Sequence, residues 1–254
     1  MSDLHLGAQS PEKERSKRDR FRALVGDLER GDRLFLLGDV FDVWIGWSEV
    51  VSSDHIQALG ALRDAVDRGI PVVFLAGNHD FQPGRVLQEE VGADVHMDGL
   101  SIRVPGYESI HLSHGDEPES AGPGYGVLRR LLRSSPAGVL LRTLPPAFVL
   151  GVFRWASETS RHHSDDTQGV RWLDRYQKRV AKPLWSRGHR VVICGHHHVG
   201  AVRVTNDGVL VNLGHWFDEP TYAIREGASI RLLRDSPTGT ETLGQLDLRP
   251  SKGD

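Results

Sequence analysis

Apolar residues along the chain follow two rhythms. Between residues 10 and 30, Phe21, Leu24, Val25 and Leu28 recur at helical spacing among charged positions, and Gly31 closes the pattern, which predicts a surface helix. "RLFLLGD" (33–39) then reads as a short buried strand, "DHIQALGALRDAVDRG" (54–69) as a helix, and "PVVFLAGNHD" (71–80) as a second buried strand. Strand, helix and strand in succession imply parallel pairing and an α/β fold class. "SIRVPGYESIHLSHGD" (101–116) reads as two strands joined by a Pro-Gly turn.

Residues 117–188 change character: helical patterns rich in Leu, Trp and Arg replace the β-branched runs, which predicts an inserted helical cap. Strand signal returns in "HRVVICGHHH" (189–198), continues through "GAVRVTNDGVLVNLG" with an Asn-Asp-Gly turn, and ends in "TYAIREGASIRLLR". The expected organisation is a core of residues 1–116 and 189–235, a cap of 117–188, and a tail of 236–254. That tail, rich in Pro, Gly and Thr, is expected to fray. The most apolar stretch, "AGVLLRTLPPAFVLGVFRWA" (137–156), has about the length of a membrane span, but Arg142 and Pro145-Pro146 interrupt it, so amphipathic helices are expected there.

Composition narrows the function classes. A chain of 254 residues, 39% apolar and 26% charged, suits one large folded domain or a core with an insertion. Its net charge of −3 leaves no global attraction for a polyanion, so no nucleic-acid partner is expected, and the basic run "RSKRDRFR" reads as a solvated helix face. Cys194 is the only cysteine, which excludes intrachain disulfides and fits a reducing compartment; within an apolar strand it reads as packed core. No signal-peptide pattern opens the sequence, so a cytoplasmic location is the default expectation. Serine-hydrolase, P-loop and dinucleotide motifs are absent from the sequence.

Four apolar runs end alike. "RLFLLGD", "VVFLAGN", "SIHLSHGD" and "VVICGHHH" each put a metal-ligand type just past the last apolar residue, where open α/β sheets bind ligands. "SDLHL" adds Asp3 and His5, which share a side if the segment is extended. The same alternation turns His196 and His198 one way and His197 the other. The offered set is Asp3, His5, Asp39, Asn78, His114 and two of the three histidines. Seven ligands exceed one tetrahedral site but suit two ions bridged by Asp39, with roughly four protein ligands each. Two divalent ions against Asp3 and Asp39 leave net positive charge, suited to a phosphate or diphosphate and to activating water. Hydrolysis of a phosphorus–oxygen bond is the expected reaction, with His79 placed to donate a hydrogen bond or proton nearby.

"SDLHLG", "GDVFD", "GNHD", "HGD" and "GHHH", in this order, resemble the motifs of the calcineurin-like metallophosphoesterase superfamily. The resemblance implies a two-sheet αββα sandwich with an inserted helical cap. It also implies one ion held by Asp3, His5, Asp39 and His198, a second held by Asp39, Asn78, His114 and His196, and His79 over the attacked phosphate. A narrower resemblance, carried by "GDVFDVWIG", "HGDEPESAGPGYGVLRRLLR", "FRWASETSR" and "VNLGHW", is to the UDP-2,3-diacylglucosamine diphosphatases of lipid A biosynthesis. It implies cleavage to UMP and a diacylated sugar phosphate, peripheral attachment to the inner membrane through the cap, and substrate contacts from Asn78, His79, Tyr125, Arg154 and Ser157. The mixed carboxylate, amide and imidazole set without thiolate favours Mn²⁺.

Two departures mark the sequence. Many of those diphosphatases carry Arg where this chain has His79, a residue typical of the wider superfamily. The family also has an apolar strand ahead of the Asp-x-His motif, whereas only Met1 and Ser2 precede it here, so either the true chain begins upstream or the first strand is stunted, and a late start of this sequence is expected. Rival readings are a phosphodiesterase of the same fold acting on a nucleotide or nucleic acid, and a non-catalytic scaffold, which should have lost ligands that this chain retains. His162-His163 beside Asp165-Asp166 reads as a solvated helix end, and His55, His96, His111 and His189 receive no role. His215 is read equally as cleft lining or as structure.

Overall fold

A computed structural model describes residues 1–121, 123–162 and 166–250. Helix α1 (Pro11–Gly26) starts on proline with Glu12 and Glu14 near its positive end, and buries Phe21 and Val25. Helix α2 (Ser53–Asp67) is capped by the Ser52 hydroxyl and buries Ala58, Leu62 and Ala65. Both helices cover strands β1 (Leu34–Leu37) and β2 (Val72–Leu75), which pair in parallel as the pattern implies. β3 (Asp94–His96) adds to β2, also in parallel. On β2, Val72 and Phe74 face the helices while Val73 and Leu75 face inward. Burial on both faces explains why these strands read as unbroken apolar runs.

The second sheet has the order β4 (Leu100–Ile102), β5 (Ile110–Leu112), β6 (Val191–Cys194), β8 (Val209–Leu213), β7 (Gly200–Val204). β9 (Thr221–Glu226), β10 (Ser229–Ser236) and β11 (Gly239–Asp247) form an antiparallel meander. Leu37, Leu75, Leu112, Ile193, Leu232 and Leu246 meet in the interior between the layers. Burying such side chains fully contributes about 1.5–3 kcal/mol each. The outer face of the second sheet, with Val192, Cys194 and Leu210, packs against Leu173, Tyr176 and Trp185. The layers therefore run helix, sheet, sheet, helix, and Cys194 is core.

Two expectations need correction. The tail does not fray at Ser236: β11 pairs along β10 and buries Leu246, with Leu248 just beyond it. Its outward positions are polar because it is an edge strand, so the apolar signal was too sparse to read. The run "RSKRDRFR" is not simply a solvated face. Lys17 is buried against Glu14, Arg18 pairs with Asp54 and Arg20 with Asp235. Residues 1–3 run beside β1: Leu37 N donates to Met1 O (2.8 Å) and Asp3 N to Gly38 O (3.1 Å).

Between β5 and β6 the chain is helical: α3 (Pro118–Ala121), α4 (Pro123–Leu132), α5 (Ser135–Thr143), α6 (Pro146–His162), α7 (Asp166–Tyr176) and, after one wide turn, α8 (Lys182–Ser186). The stretch serves two places. α7 and α8 form the outer helical layer, whereas Val149, Leu141 and Phe153 pack over Val43, Ile45 and Phe81 at one end of the sandwich. Among the described residues no single helix is long and apolar enough to cross a membrane; α5 and the first part of α6 qualify only together and are bent by 117°. His163, Ser164 and Asp165 lie outside the described residues, as do the side chains of His162 and Asp166.

Candidate metal centre

The carboxyl ends of β1 and β2 in one layer and of β5 and β6 in the other converge, and the residues just past them meet. Asp3, His5 and His198 each bring a ligand atom within 4.8 Å of the others, and so do Asp39, His114 and His196. A third grouping of the same reach joins His5, Asp39 and His79. Asp39 therefore lies between the two clusters, with Oδ2 3.7 Å from His5 Nε2 and 3.4 Å from His114 Nε2. Asn78 Oδ1 is 3.0 Å from His114 Nε2, and His198 Nε2 is 3.2 Å from Asp3 Oδ1. All seven predicted ligands are at the site.

The backbone brings them there differently from the alternation argument. Asp3, His5, Asp39, His196 and His198 have φ of 54°, 46°, 52°, 68° and 55°, and they are the only non-glycine residues with positive φ among those described. None is extended. Left-handed backbone at non-glycine residues costs on the order of 1–3 kcal/mol each and persists where the surroundings over-determine it, commonly at functional sites. His197 nonetheless points away, buried against the Tyr176 ring at 5.3 Å. The glycines of the motifs are steric necessities: a Cβ at Gly77 would collide with the Asp39 carboxylate, and one at Gly195 with that of Asp3.

Does this donor set fit cations? His114 Nδ1 donates to the Leu37 carbonyl (2.8 Å), which turns Nε2 toward Asn78 Oδ1 and Asp39 Oδ2, the edge where a cation would replace its proton. Positive charge belongs at such a convergence of oxygens, and the His114 imidazolium supplies it here. Burial opposes charge on His114, yet the Asp39 carboxylate and its hydrogen bond raise the His114 pKa well above the usual value. Burial likewise opposes ionisation of Asp39, but His114, His79 and His5 hold its pKa well below the usual range. Burial lowers His5 and His196 to about 4, so both are neutral imidazoles at pH 7, the form that binds metal. The residues fit two divalent cations.

Side chains without an assignment in the sequence complete the site. Asp80, the last residue of "GNHD", accepts hydrogen bonds from Gly77 N (2.7 Å), Val40 N (2.8 Å) and Asp39 N (3.1 Å). Burial and the Asp39 charge raise its pKa to about 6. Asp42, the last residue of "GDVFD", accepts His79 Nδ1–H on its backbone oxygen (2.8 Å) and the Ser157 hydroxyl on Oδ1 (2.9 Å). His79 Nε2 is thereby left toward the site, 4.0 Å from Asp39 Oδ2. Asp116, the last residue of "HGD", gathers Tyr125 (3.2 Å), Arg129 (2.9 Å) and Arg133 (3.1 Å) and so ties α4 to the core. The only sequence signal for these three is that each closes a motif with an aspartate.

A cavity of about 280 Å³ opens over Asn78 and His79, walled on its apolar side by Phe81, Leu128, Leu132 and Phe153. Tyr125 and Ser157 line it as well. Arg154 does not; it is exposed on α6. His215 stands beside the centre, its ring 5.7 Å from that of His198.

Paired His/Asp clusters at the strand ends of an αββα sandwich define a metal-dependent phosphoester hydrolase. The calcineurin-like phosphoesterase family model matches residues 1–200, and the chain belongs to that family. The UDP-2,3-diacylglucosamine hydrolase of Porphyromonas gingivalis is 29% identical over 254 residues, covering 91% of this chain and 94% of that protein. The hydrolase of the same name from Nitrosococcus oceani is 32% identical over 223 residues, covering 85% and 86%. Among solved structures, a single mutant of Vps29 from Entamoeba histolytica matches with a TM-score of 0.45 and 12% identity over 98% of this chain and 97% of that one.

Proposed function

We propose that this chain hydrolyses the diphosphate of UDP-2,3-diacylglucosamine to UMP and 2,3-diacylglucosamine 1-phosphate, with two Mn²⁺ ions, in the cytoplasm and peripherally at the inner membrane. The observation that carries the reading is a pair of His/Asp clusters opening into a cleft with one apolar wall, beside a cap that exposes Leu131 (60%), Phe148 (62%) and Trp155 (69%) to solvent. Large apolar side chains left exposed on one inserted segment point to lipid or protein contact where they join into one patch. The relatives named above act, by their names, on the same substrate.

Asp3, His5, Asp39 and His198 would hold one ion, and Asp39, Asn78, His114 and His196 the other. Bound divalent ions supply a nucleophile from water at neutral pH and neutralise charge developing on the phosphoryl oxygens. The chain's own part is orientation and proton handling. Asn78 sets its amide over the site, and His79, steadied at Nδ1 by Asp42, offers Nε2 to a phosphoryl or leaving oxygen. Tyr125 and Ser157 line the path to the sugar side, and the apolar wall and cap take the acyl chains; a contact from Arg154 would need its side chain to reach in from outside the cavity lining.

A phosphodiesterase of the same fold acting on a nucleotide is the second reading, favoured by His79 in the place where many diphosphatases carry Arg. Purified protein with Mn²⁺ and UDP-2,3-diacylglucosamine should release UMP; robust turnover of bis(p-nitrophenyl) phosphate with no UMP would establish the second reading instead. Leu131→Gln with Phe148→Gln should lower kcat/KM for the acylated substrate about tenfold or more, since each side chain contributes about 1.5–3 kcal/mol when buried. The short phosphodiester should be hydrolysed as before. Equal losses on both substrates would make the cap merely structural.

A further inference from the structure

The N-terminal segment has an unusual backing. Glu14 and Lys17 of α1 form an ion pair at 2.8 Å with side chains only 3% and 2% exposed. Charges are seldom buried so completely unless every donor and acceptor is used. Lys17 Nζ has three protons; besides Glu14 it reaches the Leu4 carbonyl at 2.9 Å and the His5 carbonyl at 3.1 Å. The Glu14 carboxylate accepts Gly7 N at 2.9 Å and Gln9 N at 3.0 Å. The pair thus grips residues 4–9 from both sides, across the left-handed His5 and next to the left-handed Asp3.

The loop between β8 and β9 joins the same grip. Phe217 stacks on the His5 ring, 5.2 Å between centroids and 15° between planes, and stands edge-on to His198 at 5.7 Å. Gln9 Nε2 donates to the Phe217 carbonyl at 2.9 Å, and Lys17 Nζ lies 5.6 Å from its ring centre. The other cluster is fixed by different means: the Leu37 carbonyl orients His114, which in turn faces Asn78.

We infer that Glu14, Lys17, Gln9 and Phe217 form a positioning element for one ion position only, the one built from Asp3, His5 and His198. The inference rests on the two-ion reading of the site. Partners that orient ligands without touching the metal commonly change its affinity.

Calorimetric titration of chelator-treated, dialysed protein with Mn²⁺ tests it. Wild type should bind two ions. Phe217→Leu, and separately Glu14→Gln with Lys17→Met, which removes both buried charges together, should each weaken one ion by about 10–100-fold and leave the other within about twofold. Phe217→Leu should add little to His198→Ala, yet combined with His196→Ala it should weaken both ions. Circular dichroism identifies a variant that fails to fold; the milder Phe217→Leu then decides the matter. Both ions weakened alike, or neither changed, overturns the positioning role while two-ion binding by wild type stands. A wild-type stoichiometry below two would overturn the two-ion reading and this inference together.

Discussion

Asp39→Asn should cut turnover by about a thousandfold or more while leaving the fold in place. Asp39 is the one carboxylate near both clusters, with His5 and His114 at 3.7 and 3.4 Å from the same oxygen. The amide keeps the shape, can still accept the His79 N–H bond made at 2.9 Å, and tolerates the residue's φ of 52° better than alanine does. What it loses is the charge that would bridge two cations. Removing several kcal/mol of charge stabilisation from the transition state, about 4 kcal/mol for a thousandfold, gives the stated loss. Full activity in this variant would reject the two-ion model.

The same substitution makes a signed prediction for stability. The folded pKa of Asp39 lies below its ordinary 3.8, so its contribution is present above pH 3.8 and is lost as pH falls through the depressed value. His114 lies above its ordinary 6.5, so its contribution is present below pH 6.5 and is lost as pH rises through the raised value. In chelator, the stability gap between wild type and Asp39→Asn should therefore be widest between pH 3.8 and 6.5 and narrow toward alkaline pH. Excess Mn²⁺ should reverse the alkaline trend, because ligands bind metal only when deprotonated. Urea titrations across pH measure both.

Why the ligands were legible when much of their support was not follows from where each kind of information sits. Asp39, Asn78, His114 and His196 each follow a buried strand after one or two residues, so local pattern and strand-end chemistry coincide. β3 and β11 had no such luck, one being three residues long and the other a polar edge. Lys17 was read as solvated because helical spacing cannot show that the Leu4 and His5 carbonyls stand opposite it. Asp80 collects Asp39 and Val40 from about forty residues away, and Asp116 draws on the inserted helix that follows it, neither of which a strand pattern shows. His196 and His198 come to the site as the sequence predicts but not by strand alternation, since β6 stops at Cys194 and left-handed turns, not pleating, aim them.

His79 is where chemistry and coordination must be told apart, because its ring lies close enough to His5 and Asp39 to be counted with them. Its Nδ1 is engaged by the Asp42 carbonyl at 2.8 Å, which leaves Nε2 as the atom that faces the site, and its side chain is 18% exposed at the cleft mouth while Asp3 and Asp39 are buried beneath. That placement suits a donor to the substrate. His79→Gln should therefore keep two Mn²⁺ per chain and lose about 10²–10⁴-fold in kcat on UDP-2,3-diacylglucosamine, the usual share of a positioned acid or base. Leaving-group dependence then separates its two possible duties. If His79 Nε2 delivers a proton to the departing oxygen, the loss should shrink sharply with p-nitrophenol, which departs as an anion unaided. If it steadies the phosphoryl oxygens, the loss should be the same for both leaving groups. A drop in bound metal with the activity would instead make His79 a ligand, and would move the proton-handling role to another group in the cleft.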